Sequence, residues 1–316
     1  MKLLAAALLL LFSTPGICQD YPSRPVRMLV GYPAGGGMDT IARILAPKLG
    51  DALGQAFVVE NRPGASGAVA AEAMLASPAD GHVLMVAESG TLALPAVNPQ
   101  VKLDPVKQLV PVGGVALLPM AFVVNPAFPA RSTSELIAVL KASPGKYSYA
   151  SPGIGTMQHL AFESFKRAAA VDALHVPFKG AYAMLPDVMS GQVPIAVVSS
   201  LAAMGPVKAG KLRAIAITSP QRVPSVPDWP TMADTLPGFS AAPRIFVVAP
   251  PGTPAPAVQK LAAAIRAAVT SQEVVESFAK QGAEPAPAAP AELATQIADE
   301  VKRWAGVVRD AGIKAE

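Results

Sequence analysis

"VRMLVGYPAGGGMDTIARILAPKLGDAL", Val26 to Leu53, runs from an apolar segment through a glycine-rich loop into an amphipathic repeat. Val26–Gly31 is β-rich, whereas Ile41, Leu45, Leu49 and Leu53 share one helical face, predicting a helix over Met38–Ala52 with Gly54 as its stop. Consecutive glycines cost backbone entropy on folding. They suit a place where the bare N–H groups and positive dipole end of a helix must touch a guest anion. A tight turn with Asp39 as N-cap is the alternative use of the same residues. No Gly-Lys-Ser/Thr follows and the spacing is not GxGxxG, so neither phosphate fingerprint is present. Asp39 in the first helical turn would repel a polyphosphate, and a small carboxylate suits the loop better.

The same alternation continues on both sides. Phe57–Glu60, a helix to about Ala76, and Val83–Ala87 complete a first set. A second set begins near Pro119, with strands at Ala121–Val124, Tyr147–Ala150, His175–Pro177, Ile195–Ser199 and Ala214–Thr218 and a helix from Ser132 to about Ala142. Ile245–Ala249 is a further strand, and two closing helices, Pro256–Thr270 and Pro290–Arg309, carry apolar stripes through Leu261 and Ile265 and through Leu293, Ile297 and Trp304. Strand–helix alternation with short connections predicts an α/β fold with mostly parallel sheets flanked by helices. Crossing segments near Leu118–Asn125 and Ala242–Val248 divide it into two lobes, 19–120 plus 243–316 and 121–242, with the final helices returning to the first lobe. The ligand cleft then lies between the lobes, outside the carboxyl ends of the strands.

Composition limits the possibilities. The 316 residues are 52% hydrophobic and 15% charged, enough apolar material for two packed cores, and the 33 prolines punctuate short elements. "MKLLAAALLLLFSTPGIC", Met1–Cys18, reads as a cleaved secretory signal peptide, too short to span a membrane. Cys18 is the only cysteine; Ile17 is large for a lipidation signal, so simple cleavage near Cys18–Gln19 is expected. The mature chain then has no disulfide, thiol or cysteine-based metal site, and loss of Lys2 takes the formal charge from +4 to +3.

Two further stretches repeat the glycine design at strand ends: "AESGTL", Ala87–Leu92, and "ASPGIGTMQHL", Ala150–Leu160. Two lobes presenting such ends to one cleft form a clamp for a small anion. These segments, with "VVENRPGASG", "SPADGHVL", "HVPFKGAYAMLPDVMSGQV", "VKAGKLRAIAITS" and "WAGVVRDAGIK", resemble the periplasmic solute receptors of tripartite tricarboxylate transporters, the Bug receptors, in order from Tyr21 to Lys314. The resemblance implies a two-lobed, type II-like periplasmic binding protein that grips a mono- or dicarboxylate through backbone amides. It implies delivery to membrane transporter subunits, and no catalysis, cofactor or metal. A monomer is expected.

Carried over by motif, the resemblance places ligand contacts at Tyr32, Ala34, Gly36, Gly37 and Asp39, at Ser89 and Thr91, and at Ser151, Gly153, Gly155 and Thr156. His159, in the following helix, is a further candidate, with a local hydrogen bond as the alternative. Two positions depart from the family pattern. Ser199 and Ser200 stand where an aspartate is common, and Arg244 where a cleft aromatic is common. An acid lost and a cation gained imply a more anionic ligand, with Arg244 taking a second carboxylate.

Other functions find little footing. His82, His159 and His175 lack HExxH or Cys/His spacing, and "GASG" is not a GxSxG nucleophile elbow. Lys208, Lys211 and Arg213 form no basic run with interleaved aromatics, which argues against nucleic acid. A ligand-presenting co-receptor for a sensor kinase is the nearest rival, and an exported hydrolase the more remote one.

Overall fold

The computed structural model describes residues 21–314, so the expected signal peptide and Cys18 lie outside the described residues. In the first half, β1 (Val26–Val30), α1 (Gly37–Leu53), β2 (Phe57–Asn61), α2 (Ala68–Leu75), β3 (Val83–Glu88), α3 (Ser89–Val97), the short α4 (Pro105–Gln108) and β4 (Val110–Leu117) follow in turn. The chain then crosses into β5 (Met120–Val124), α5 (Thr133–Ala142), β6 (Ser148–Ser151), α6 (Met157–Ala169), β7 (Leu174–Pro177), α7 (Ala181–Ser190), β8 (Ile195–Ser199), α8 (Ser200–Lys208) and β9 (Arg213–Ile217). It returns through β10 (Arg244–Ala249), α9 (Ala255–Val269), α10 (Gln272–Lys280), β11 (Glu284–Ala288) and α11 (Pro290–Asp310).

The strands form two sheets, ordered β11-β4-β10-β3-β1-β2 and β7-β6-β8-β5-β9. Both are mixed, with four of six strands in the first and four of five in the second running in one direction. β1 pairs in parallel with β2 and β3, and β6 with β7 and β8, but β10 and β5 run antiparallel to their neighbours. The reason is the crossing. A strand that enters from the other lobe starts at the end where the parallel strands finish, so it must run the opposite way. Hence Arg244, first in β10, pairs with Leu117, last in β4, and Met120, first in β5, pairs with Ser199, last in β8.

The crossings are tied together at that end. Leu118 N donates to Pro243 O at 2.8 Å, Ser200 N to Pro119 O at 3.0 Å, and Met120 N to Thr218 Oγ1 at 3.0 Å. The carboxyl ends of β1, β3, β6, β7 and β8 therefore all lie on the sides of the sheets that meet at the hinge.

Helix α1 buries Ile41, Leu45 and Leu49 completely against Leu261, Ile265 and Phe278 of α9 and α10, on one face of the first sheet. The final helix departs from the expectation. Leu293 and Ile297 pack on the first sheet, but Trp304, Val307, Val308 and the following Ile313 enter the core of the second, beside Phe162 and Phe165. At about 1.5 Å per residue, 21 residues span roughly 30 Å, enough to serve both lobes. Arg167–Asp310, at 2.9 Å, adds a polar tie between α6 and α11.

The strand β11, "EPAPA", was not legible because two prolines cannot donate to a ladder. It lies at the sheet edge, where that loss is tolerated.

Candidate functional site

The loop after β1 is shaped from within by Asp39. Its carboxylate accepts from Gly35 N and Arg43 Nε, each at 2.9 Å, and from Asn61 Nδ2 at 2.9 Å, while Asn61 also donates to Tyr32 O at 3.1 Å. The hydrogen bond from Arg43 lowers the Asp39 pKa to about 2 against the opposing effect of burial, with Gly35 N–H and Asn61 assisting. Asp39 is 2% exposed. Its side chain is thus engaged within the loop: both carboxylate oxygens hold it, while its backbone N–H belongs to the open first turn of α1. Gly35 needs its φ of 82°, the left-handed region, to bring its N–H to that carboxylate.

The result is an open helix end. The N-cap of α1 is Gly36, no side chain caps it, and the first helical bond is Thr40 N to Gly36 O at 2.9 Å. The N–H groups of Gly37, Met38 and Asp39 precede that bond and have no intrahelical acceptor. Pro33 to Gly37 are exposed, Ala34 among them, and no atom lies within 4 Å of a side chain built at Gly37.

The loop after β6 uses the same kind of sequence differently. Ser151 Oγ donates to Gly153 O at 3.0 Å and lies 2.7 Å from His175 Nε2. Thr156 is the N-cap of α6, its Oγ1 accepting from His159 N at 3.4 Å and donating to Gly153 O at 2.8 Å. His159 Nδ1 accepts from Gly155 N at 3.0 Å. The two imidazoles stack at 3.7 Å. Burial, then the neighbouring His175 and Lys166, lowers the His159 pKa to about 3. Burial and Lys166 lower that of His175 to about 4. Both rings are neutral at pH 7.

This loop also packs across the hinge. A side chain built at Gly155 would come within 2.5 Å of Val97 Cγ1, and Met157 shares a core with Ala93 and Val97 of α3. The helix that begins at Ser89 thus ends against the second loop.

Several sequence candidates have architectural roles. Ser89 is fully buried, its Oγ accepting from Arg244 N at 2.9 Å. Thr91 is fully buried beside Gly67. Ser199 caps α8 through Ala202 N at 3.2 Å. Arg244 faces an acid within the chain. Alternation along β10 sends Ile245 to the α1 face and Phe246 to the α11 face, and Arg244 follows Phe246. Its Nε lies 3.5 Å from Glu300 Oε1, in a hinge cavity of about 230 Å³ that Arg303 also lines. Its charge is met by an internal acid.

Three residues were missed. Asn61 sits at the end of the neighbouring parallel strand, a position that only the sheet order reveals. Glu88 ends β3, and its Oε1 accepts from Tyr32 Oη. Gly180, in "PFKGAY", is the uncapped N-cap of α7; its N–H reaches Pro152 O at 3.0 Å, and no atom lies within 4 Å of a side chain built there. The signal was a glycine just before a helix start. Among the described residues no group of His, Cys, Asp and Glu could hold a metal ion, and no helix is long and apolar enough to cross a membrane.

Residues 41–313 match the model of the tripartite tricarboxylate transporter family receptor. The chain is 38% identical to protein BugT of Bordetella pertussis, over 99% of each chain. A Rhodopseudomonas palustris protein solved with adipate superposes with a TM-score of 0.78 at 32% identity, covering 94% of this chain and 100% of that one. MatC of the same organism, solved with bound malate, gives 0.73 at 32% identity, over 91% of this chain and 100% of that one.

Proposed function

The chain belongs to the tripartite tricarboxylate transporter receptor family, and we propose that it captures a small organic carboxylate in the periplasm and hands it to the membrane subunits of such a transporter. The observation that carries this reading is the open N-terminus of α1 at Gly36–Asp39, set at the carboxyl end of β1 where the two sheets meet. Solved relatives named with adipate and malate support a carboxylate as the guest. The signal peptide read in residues 1–18 accounts for export.

Magnitudes favour a two-sided grip. Three charge-assisted bonds, at roughly 1.5–3 kcal/mol each, give about 4.5–9 kcal/mol before the cost of association. A micromolar complex needs about 8.2 kcal/mol net. One helix end falls short, so a second donor set is needed, and the uncapped start of α7 at Gly180 is the one on the second lobe. No step in this account makes or breaks a covalent bond.

The test is calorimetry on protein unfolded, dialysed and refolded to remove carried ligand, titrated with mono-, di- and tricarboxylates. One-to-one binding with the ligand recovered unchanged is expected. Conversion of the ligand to product would overturn the receptor reading.

A further inference from the structure

The proposed cleft holds an acid of its own. Glu88 is the last residue of β3 and lies between Tyr32 and the start of α3. Its Oε1 accepts from Tyr32 Oη, and the same oxygen would be 2.7 Å from a side chain built at Gly90, so the carboxylate lies over the first turn of α3. The residue is half-buried. The positive end of this helix is therefore already occupied from within the chain, unlike that of α1.

The charges around Glu88 do not neutralise it. Arg244, next to it across the β10 ladder, pairs with Glu300, and the ion pairs among the described residues give Glu88 no Lys or Arg. Burial pushes its pKa up, and the nearby Glu300 pushes it further, against the bond from Tyr32. With no cation paired to it, the carboxyl can be met by a donor or positive charge that a ligand brings, and its ionised form repels a second carboxylate. The two loops are close: Val30 and Val86 are paired on adjacent strands, which lie roughly 5 Å apart, and Glu88 is two residues beyond.

We propose that this receptor selects a compact acid whose carboxylate meets the α1 amides and whose other end, an ammonium, amide or hydroxyl group, donates to Glu88, in preference to a plain dicarboxylate. The proposal rests on the carboxylate reading of the cleft. It reverses the more anionic preference that Arg244 implied, since Arg244 is engaged by Glu300 and Glu88 adds negative charge beside Tyr32. It also sets this chain apart from the relative named with adipate, a plain dicarboxylate.

The experiment uses two matched series on refolded, ligand-free protein. One contains butyrate, 3-hydroxybutyrate, 3-aminobutyrate and succinate; the other contains benzoate, 4-hydroxybenzoate, 4-aminobenzoate and terephthalate. In whichever series binds, a donor-bearing acid is expected to be at least tenfold tighter than both the plain acid and the diacid. Glu88→Gln keeps the shape and removes the charge, and should narrow or invert the gap to the diacid by tenfold or more. Tyr32→Phe removes the donor and keeps the charge, and should widen the preference for the amino acid. A wild-type protein that favours succinate or terephthalate overturns the inference while leaving the carboxylate reading intact, and so does an unchanged order in both variants. Binding of none of the acids, including a wider carboxylate panel, overturns both.

Discussion

At Gly35–Gly37 the chain leaves the N–H groups of α1 open, whereas at Gly153–Thr156 a similar glycine-rich stretch ties its polar groups to its own side chains. The difference comes from one position. The N-cap of α1 is Gly36, which has no side-chain acceptor, and the N-cap of α6 is Thr156, which has one. The internal acid Asp39 and the imidazoles of His159 and His175 then act alike, each fixing its loop from the inside. Glycine richness alone does not mark a binding loop. In the second lobe the helix start without a side-chain cap is that of α7, whose N-cap is Gly180.

The largest expected effect is on the first loop. Asp39→Ala leaves Gly35 N–H, Asn61 and Arg43 without their shared acceptor, and should cost about 3 kcal/mol of stability and abolish tight binding. Chemical denaturation with a ligand titration checks both; a variant with native affinity would show that the loop does not depend on this carboxylate.

Acid should separate the two loops next. The folded pKa of His159 is about 3, below the ordinary 6.5. The unfolded chain binds the proton first, so this contribution is complete above about pH 6.5 and is lost as pH falls. It amounts to about 2.7 kcal/mol over the first two pH units below that value. Asp39, with a folded pKa of about 2, gives up its contribution only below about pH 4. Melting curves from pH 7 to 3 should show the earlier loss, and His159→Gln, which keeps an acceptor for Gly155, should flatten it. An unchanged slope in that variant would place the acid sensitivity elsewhere.

Gly36→Val comes third. Gly36 has φ −76° and ψ 168°, ordinary extended backbone, so valine adds bulk at the open amides without backbone strain. Affinity should fall at least tenfold, about 1.4 kcal/mol, with little change in melting temperature. Thr156→Ala sharpens the contrast from the other side: loss of the cap should cost about 1 kcal/mol of stability, while affinity changes less than threefold. A larger loss of binding than in Gly36→Val would reverse the assignment of the two loops.

Much of the fold was legible because the signals are local. The apolar face Ile41–Leu45–Leu49, the stop at Gly54 and the Ser132 cap all follow from neighbouring residues. The direction of β5 and β10, the division of α11 between two cores and the edge strand "EPAPA" depend on contacts far apart in sequence. The site divides the same way. The open glycines were visible in the sequence. That Asp39 turns inward, that Arg244 faces Glu300 and that Glu88 meets Tyr32 are set by which residues the sheet order brings together.

The central claim is that a carboxylate sits on the amides at the start of α1. It is tested most directly by following backbone amide resonances while the tightest acid from the panel is titrated in. The account predicts large downfield shifts of the Gly37, Met38 and Asp39 N–H signals that saturate at one equivalent, as expected for bonds to a charged acceptor. Unmoved signals at those three residues, with shifts confined to Gly153–Met157, would contradict it.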